Sequence, residues 1–318
     1  MKLGKLDIDE TKLVRTQERG PAAPLTDPPF VAAEEELWPI DEVVIGIEHY
    51  GVAKAYPTSM LWLHQCVNDL VYFRPVLISF CGLCSSGVAF DTVLSRQQRL
   101  TFEPYGVYQG ALVIRDHQTK SLWSHLDGRC LSGKLAGRQL KQLPAVQVTW
   151  AQWRRWHSDT LVLSNDTPYR DRYRPLGMAK ARMGSGYRTY PSDWKPGLQP
   201  DALVLGLRTE GDQRAYPLSE QPPMMNAEVE GRPVVIFHDR LSEHAIAFWR
   251  EIEGDELTFV DVEGEIRDKE TGSTWSQEGR CLEGRLEGRS LAFATSVTVE
   301  WYAWSAYYPN THLIRPAW

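Results

Sequence analysis

The sequence predicts a mainly β protein of the α+β kind, built as two similar β-rich repeats with short helices and related by a pseudo-twofold internal duplication. Three observations predict this. Landmarks of residues 41–164 return in the same order in residues 201–318. Short runs of Val, Ile, Leu, Phe and Tyr lie between Gly, Pro, Asn and Asp turns, the pattern of strands. Only two short segments per repeat carry apolar residues at helical spacing.

Residues 1–40 contain several prolines and read as an extended N-terminal arm that is poorly ordered or wraps the body. In repeat 1, residues 41–164, the strands are expected at "EVVIGIE", "PVLISF", "VAFDTVL", "RLTFEPY" and "ALVIRD". A first helix is expected after Tyr56, with Pro57 suited to a first turn and "TSMLWLHQCV" following it. A second is expected at "TWAQWRRWH", where Thr149 can cap the start and Trp150 and Trp153 share a core-facing side. Residues 165–200 form a long linker with Arg170, Arg172, Arg174, Arg182 and Arg188 among Tyr169, Tyr173, Tyr187 and Tyr190. It reads either as a solvated tether or as a loop over a cleft, with Arg170, Arg172 and Tyr187 gripping an anionic substrate.

Repeat 2, residues 201–318, answers "VIGIEHYGVAKAYP" with "VLGLRTEGDQRAYP", and "VNDLVYFRPVLISF" with "MNAEVEGRPVVIFH". It also answers "GRCLSGKLAGRQL" with "GRCLEGRLEGRSL", and "VTWAQWRRWHSDTLVL" with "VEWYAWSAYYPNTHLI".

Composition narrows the function. With 35 Lys and Arg against 41 Asp and Glu, the net charge of −6 argues against a nucleic-acid partner, which needs a clustered basic face. No window resembles the roughly 18 apolar residues of a membrane span. Met1 to Gln17 is charged throughout, so a cytoplasmic protein is expected, with no membrane partner. Five cysteines are too few for a disulfide scaffold.

Two copies of one scaffold provide an internal control: features present in both serve the fold, and reactive features in one copy mark a site. Cys130 and Cys281, and Trp123 and Trp275, occupy equivalent places and read as scaffold. Cys81 instead faces Asp239, Cys84 faces Ser242, His64 faces Pro222 and Cys66 faces Met224. The site therefore belongs in repeat 1. A Cys-x-x-Cys turn points two sulfurs at one ion, so the first expectation is a soft or open zinc or copper centre. Its ligands are Cys81, Cys84 and His64, completed by His125, His117 or Cys66. The second is thiolate catalysis by Cys84 in the Gly82–Gly87 turn, with His64 lowering its pKa. The third is a reversible Cys81–Cys84 disulfide, and plain burial stands beside all three. Asn68 and Asp69 read as a turn, with Asn68 also a substrate-contact candidate. His238, Asp239, Glu243 and His244 form a polar cluster able to take a metal or ligand. No dinucleotide, Walker, zincin or G-x-S-x-G motif occurs in a suitable context.

Taken together, "AYPTSMLWLHQCVND", "PVLISFCGLCSSGVAFD", "DHQTKSLWSHLDGRCLSGKLAGRQL" and "WAQWRRWHSDTLVLS" resemble the bacterial family known as domain of unknown function 3179, here as two divergent repeats. The resemblance covers roughly residues 41–316 and implies that His64, Cys81 and Cys84 hold the family's distinctive positions. Gly82 stands where the family has proline, Ser85 and Ser86 where it has glycine and threonine, Gln65 where it has glutamate, and Ile114 where many members have methionine. Many members of the family carry export signals and none is read in this sequence, so the resemblance leads to the expectation of a specialised, intracellular member with altered chemistry. The expectation is an enzyme of specialised bacterial metabolism acting on a small or medium organic molecule, with the metal centre favoured. The alternatives are a metal-independent Cys84/His64 thiolate or acid/base catalyst and a non-catalytic metal- or ligand-binding protein.

Overall fold

Strand Arg74–Cys81 is buried at every position from Val76 onward. A strand covered on one face alternates buried with exposed; one covered on both does not. In the computed structural model, which describes residues 9–15, 22–36, 38–95, 98–175 and 190–315, this strand lies in the middle of three sheets. The chain divides into two units, Met1–Trp194 and Lys195–Trp318.

In the first unit the middle sheet runs Lys141–Leu143, Ser86–Asp91, Arg74–Cys81, Cys66–Val71, Leu25–Thr26. The front sheet runs Val146–Thr149, Val43–His49, Val52–Pro57, Leu161–Leu163, Phe30–Ala32. The back sheet runs Leu13–Arg15, Phe102–Tyr108, Ala111–Asp116, Leu122–Ser124, Cys130–Ser132. Ile45, Ile47 and Tyr56 of the front sheet share a core with Val67, Ile78, Phe80 and Ala89 of the middle one. On its other face the middle sheet is tied to the back sheet by Asn68, whose amide donates to the Phe102 carbonyl at 2.9 Å and accepts the Phe102 N–H at 2.7 Å. Asn68 and Asp69 thus lie inside strand Cys66–Val71 and make no turn, a correction to the sequence expectation.

Helix Thr58–His64 is shorter than its apolar spacing suggests. Gln65 adopts a left-handed conformation at φ +60°, closes the last turn with its N–H on the Leu61 carbonyl, and releases Cys66 into a strand. Helix Trp150–Trp156 starts where Thr149 accepts the Gln152 N–H. Its Trp153 ring lies flat on Gly46, where an added Cβ would come within 2.3 Å.

The second unit repeats the strand order with four strands per sheet. Its front sheet is Ser296–Glu300, Leu203–Arg208, Gln213–Pro217, His312–Leu313. The middle is Met224–Val229, Arg232–Asp239, His244–Trp249, Ala292–Ala294, and the back is Phe259–Val262, Glu265–Asp268, Thr274–Trp275, Cys281–Glu283. Helix Trp301–Tyr307 lays Trp304 on Gly206 as Trp153 lies on Gly46. The other expected helix is a single 3-10 turn, Leu218–Glu220, stopped by the prolines at 222 and 223. The fifth strand of each first-unit sheet comes from the arm: Leu13–Arg15, Leu25–Thr26 and Phe30–Ala32. No helix among the described residues is long and apolar enough to cross a membrane.

Candidate functional site

The hairpin of strands Arg74–Cys81 and Ser86–Asp91 pairs Cys81 with Ser86 and Ser79 with Val88. Because side chains alternate along a strand, Ser79, Cys81 and Ser86 all point from the middle sheet toward the back sheet, while Phe80 joins the front core. The intervening turn holds Ser85 at φ +57° and rests Gly82 under the Trp62 ring, which leaves no room for a Cβ there.

This turn determines what surrounds the sulfurs. Burial alone pushes the Cys81 thiol up, but four donors outweigh it: the Cys84 thiol and the backbone N–H groups of Cys84, Leu112 and Leu83. Cys81 is thereby held below an ordinary thiol, favouring the thiolate. Behind it runs an unbroken line of contacts. Cys84 Sγ lies 3.1 Å from Ser86 Oγ, Ser86 Oγ 2.8 Å from His125 Nε2, and His125 Nδ1 2.9 Å from Ser79 Oγ. Ser79 in turn bonds Cys66, whose thiol burial pushes up to about 12. Burial pushes His125 down to about 3, so its ring is neutral and carries one proton.

The neutral His125 ring has one N–H and one bare nitrogen, so it donates on one side and accepts on the other, linking Ser86 to Ser79. The result is a line of hydrogen-bonded side chains across the sheet interface, from Ser79 through His125 and Ser86 to Cys84 beside Cys81.

His64 belongs elsewhere. Its Nδ1–H donates to the Ala23 carbonyl at 2.6 Å, which leaves Nε2 to accept from the Tyr173 hydroxyl at 3.0 Å. Tyr169 packs against the ring edge-on, 5.4 Å between centroids. Burial, offset by the Ala23 bond and aided by the Arg172 charge, lowers its pKa. The arm and the linker therefore hold this imidazole, and its nitrogens do not serve Cys81 or Cys84.

A family model described as "Protein of unknown function (DUF3179)" matches residues 21–311. The chain belongs to this family. No curated protein and no solved structure matches it.

For a DUF3179 chain carrying these residues, the fit to a metal can be tested on the donor set. His64 and His125 each have both nitrogens engaged, and His117 is exposed with Nε2 3.4 Å from the Glu103 carboxylate. Among the described residues no three His, Cys, Asp or Glu side chains converge to hold an ion. A closed protein-only site of Cys81, Cys84, His64 and His125 does not fit; the two sulfurs alone remain together.

Asn68 is fully engaged with the Phe102 backbone, and Asn226 makes the same pair with Phe259 in the second unit. Arg170 and Arg172 are exposed, with the Arg172 guanidinium 5.4 Å from the Tyr169 ring centre. Tyr187, with Arg182 and Arg188, lies outside the described residues. In the second unit, Asp239 pairs with His244 and His238 with Ala245, so alternation sends the two imidazoles to opposite faces. Asp239 accepts from Leu241 N–H and the Ser242 hydroxyl.

Sequence reasoning singled out the sulfurs but missed Ser79 and Ser86, and gave His125 only a metal role. The signal was present in the strand period: Ser79 and Cys81 are two apart, and Ser86 follows the turn at the matching register.

Proposed function

We propose that the first unit of this DUF3179 protein is an enzyme that uses the Cys81 sulfur as a nucleophile toward a small or medium organic molecule. The observation that carries this reading is the convergence of three backbone N–H groups and one thiol on Cys81. Donors that hold a sulfur as its thiolate keep it in the nucleophilic form and make it the better leaving group when a thioester formed on it is broken. Cys84 is the adjacent acid, and Ser86 and His125 orient its proton. Relative to the sequence expectation, the reactive sulfur moves from Cys84 to Cys81, and the supporting imidazole from His64 to His125.

The test is a panel of small thioesters, activated esters and α,β-unsaturated acids incubated with the full chain, followed by intact-mass and peptide mapping. A covalent adduct on Cys81, absent in Cys81→Ser with an unchanged melting temperature, is the expected result. Adducts only on other cysteines would overturn it.

A second reading rests on the same turn. Backbone N–H groups directed at a sulfur also steady a metal-bound thiolate, so Cys81 and Cys84 can hold zinc or copper if substrate or solvent supplies the remaining ligands. Elemental analysis of protein purified without chelator separates the two. Near-stoichiometric metal lost in the Cys81→Ser, Cys84→Ser variant supports this second reading.

The two units are also inferred to descend from one duplicated ancestor. The shared strand order of their three sheets supports this. So do matched bonds: Trp123 Nε1 donates to Asp116 at 2.9 Å and Trp275 Nε1 to Asp268 at 2.8 Å.

A further inference from the structure

Six two-residue hairpin turns occur among the described residues, each with both central residues at positive φ: 50–51, 72–73, 109–110, 230–231, 253–254 and 263–264. Such turns favour glycine at the second place, since a Cβ there crowds the neighbouring carbonyl. Five of the six obey. The exception is Tyr72-Phe73, where Phe73 sits at φ +62°. Phe73 is 87% exposed, so burial among the described residues does not repay the strain.

Phe73 does not stand alone. Tyr50, Leu70 and Tyr72 are exposed on the same two hairpins. The Tyr50 and Tyr72 rings stack with centroids 6.0 Å apart, and Tyr72 lies 6.0 Å from Phe73. Cations flank them: the Arg74 guanidinium is 5.5 Å from the Tyr50 ring, and Arg74 and Lys141 both act on His49, whose own ring is 4.4 Å from Tyr50. The nearby Asp91 carboxylate is engaged by the Val93 N–H at 2.8 Å.

We propose that these two hairpin tips are a docking surface for the interfacial zone of an anionic phospholipid bilayer. The rings stand on hairpin tips rather than lining a groove, so they suit insertion between headgroups. Tyrosine with its polar hydroxyl favours that depth, phenylalanine reaches deeper, and Arg74 and Lys141 complement the phosphates. This surface is independent of the Cys81 reading.

The test is co-sedimentation of the full chain with vesicles of phosphatidylcholine, with and without phosphatidylserine. The wild-type chain is expected to bind the serine-containing vesicles, and Phe73→Gly to lose at least about tenfold in affinity. Phe73→Gly is also expected to melt about 2–4 °C higher, because the left-handed strain is relieved, which excludes misfolding as the cause of lost binding. Arg74→Gln should weaken binding and flatten its salt dependence. Three results would overturn the proposal: no sedimentation of the wild type, equal binding by Phe73→Gly, or vesicle-free self-association that Phe73→Gly abolishes.

Discussion

His244 is 6% exposed, and neither ring nitrogen has a hydrogen-bond partner among the described residues. Burial pushes its pKa down to about 3 from the usual 6.5. A pKa lowered on folding contributes stability that is present above 6.5 and is lost as pH falls toward 3. His244→Leu should therefore make the fall of melting temperature between pH 7 and pH 4.5 shallower than in the wild type. An unchanged slope in thermal melts would show that His244 is not part of the acid transition. At Gly82 the opposite sensitivity holds: Ala there meets the Trp62 ring at 2.3 Å. Gly82→Ala should cost about 1–3 kcal/mol in urea titrations, and Trp62→Leu in the same chain should recover most of it. Residue chemistry was thus the least legible part of the sequence. His64 drew attention because it stands near two cysteines in the chain, whereas the partner of Cys84 depended on sheet register. That register brings His125, from beyond strand Leu122–Ser124, across to Ser86.

Between elements, one buried ionic contact ties front to middle sheet. Lys54 Nζ reaches Asp69 at 2.7 Å, and the Tyr56 hydroxyl reaches the same carboxylate oxygen at 2.7 Å. All three are buried, with Lys54 also 3.8 Å from the Phe30 ring centre. Lys54→Met should destabilise by about 3–5 kcal/mol, since it strands a buried carboxylate, while Lys54→Met with Asp69→Leu should be far milder. Chemical denaturation of both variants checks the sign and the coupling. Elements were legible where burial is simple: the runs at 43–49, 74–81, 86–91 and 111–116 are strands as their composition suggests. The end of helix Thr58–His64 was not, because it depends on Gln65 entering a left-handed conformation that no residue preference announces. The missing helix of the second unit follows from prolines whose effect is local and readable.

At the scale of the whole molecule, the arm distinguishes the two units. It adds an outer strand to each of the three sheets in the first, and the second has four-stranded sheets without such additions. Unpaired sheet edges invite association. Removing residues 1–32 should accelerate amide hydrogen exchange in strands Phe102–Tyr108, Cys66–Val71 and Leu161–Leu163, and leave the second unit's pattern as it was. Equal acceleration in both units would count against that assignment. The division of these segments among three sheets was not legible in the composition, since two- and three-residue pairings leave almost no periodic trace.

That division also has a consequence in time. Strand Leu25–Thr26 can pair once residue 71 is made and Leu13–Arg15 once residue 108 is made, but Phe30–Ala32 must wait for Leu161–Leu163. At roughly 5–20 residues per second on the ribosome, the roughly 130 residues separating Ala32 from Leu161 take on the order of 6–26 s. In the last part of that interval, once residue 108 is made, the nascent arm is fastened at Leu13–Arg15 and Leu25–Thr26 and open at Phe30–Ala32, and the front sheet is the last of the three to be sealed.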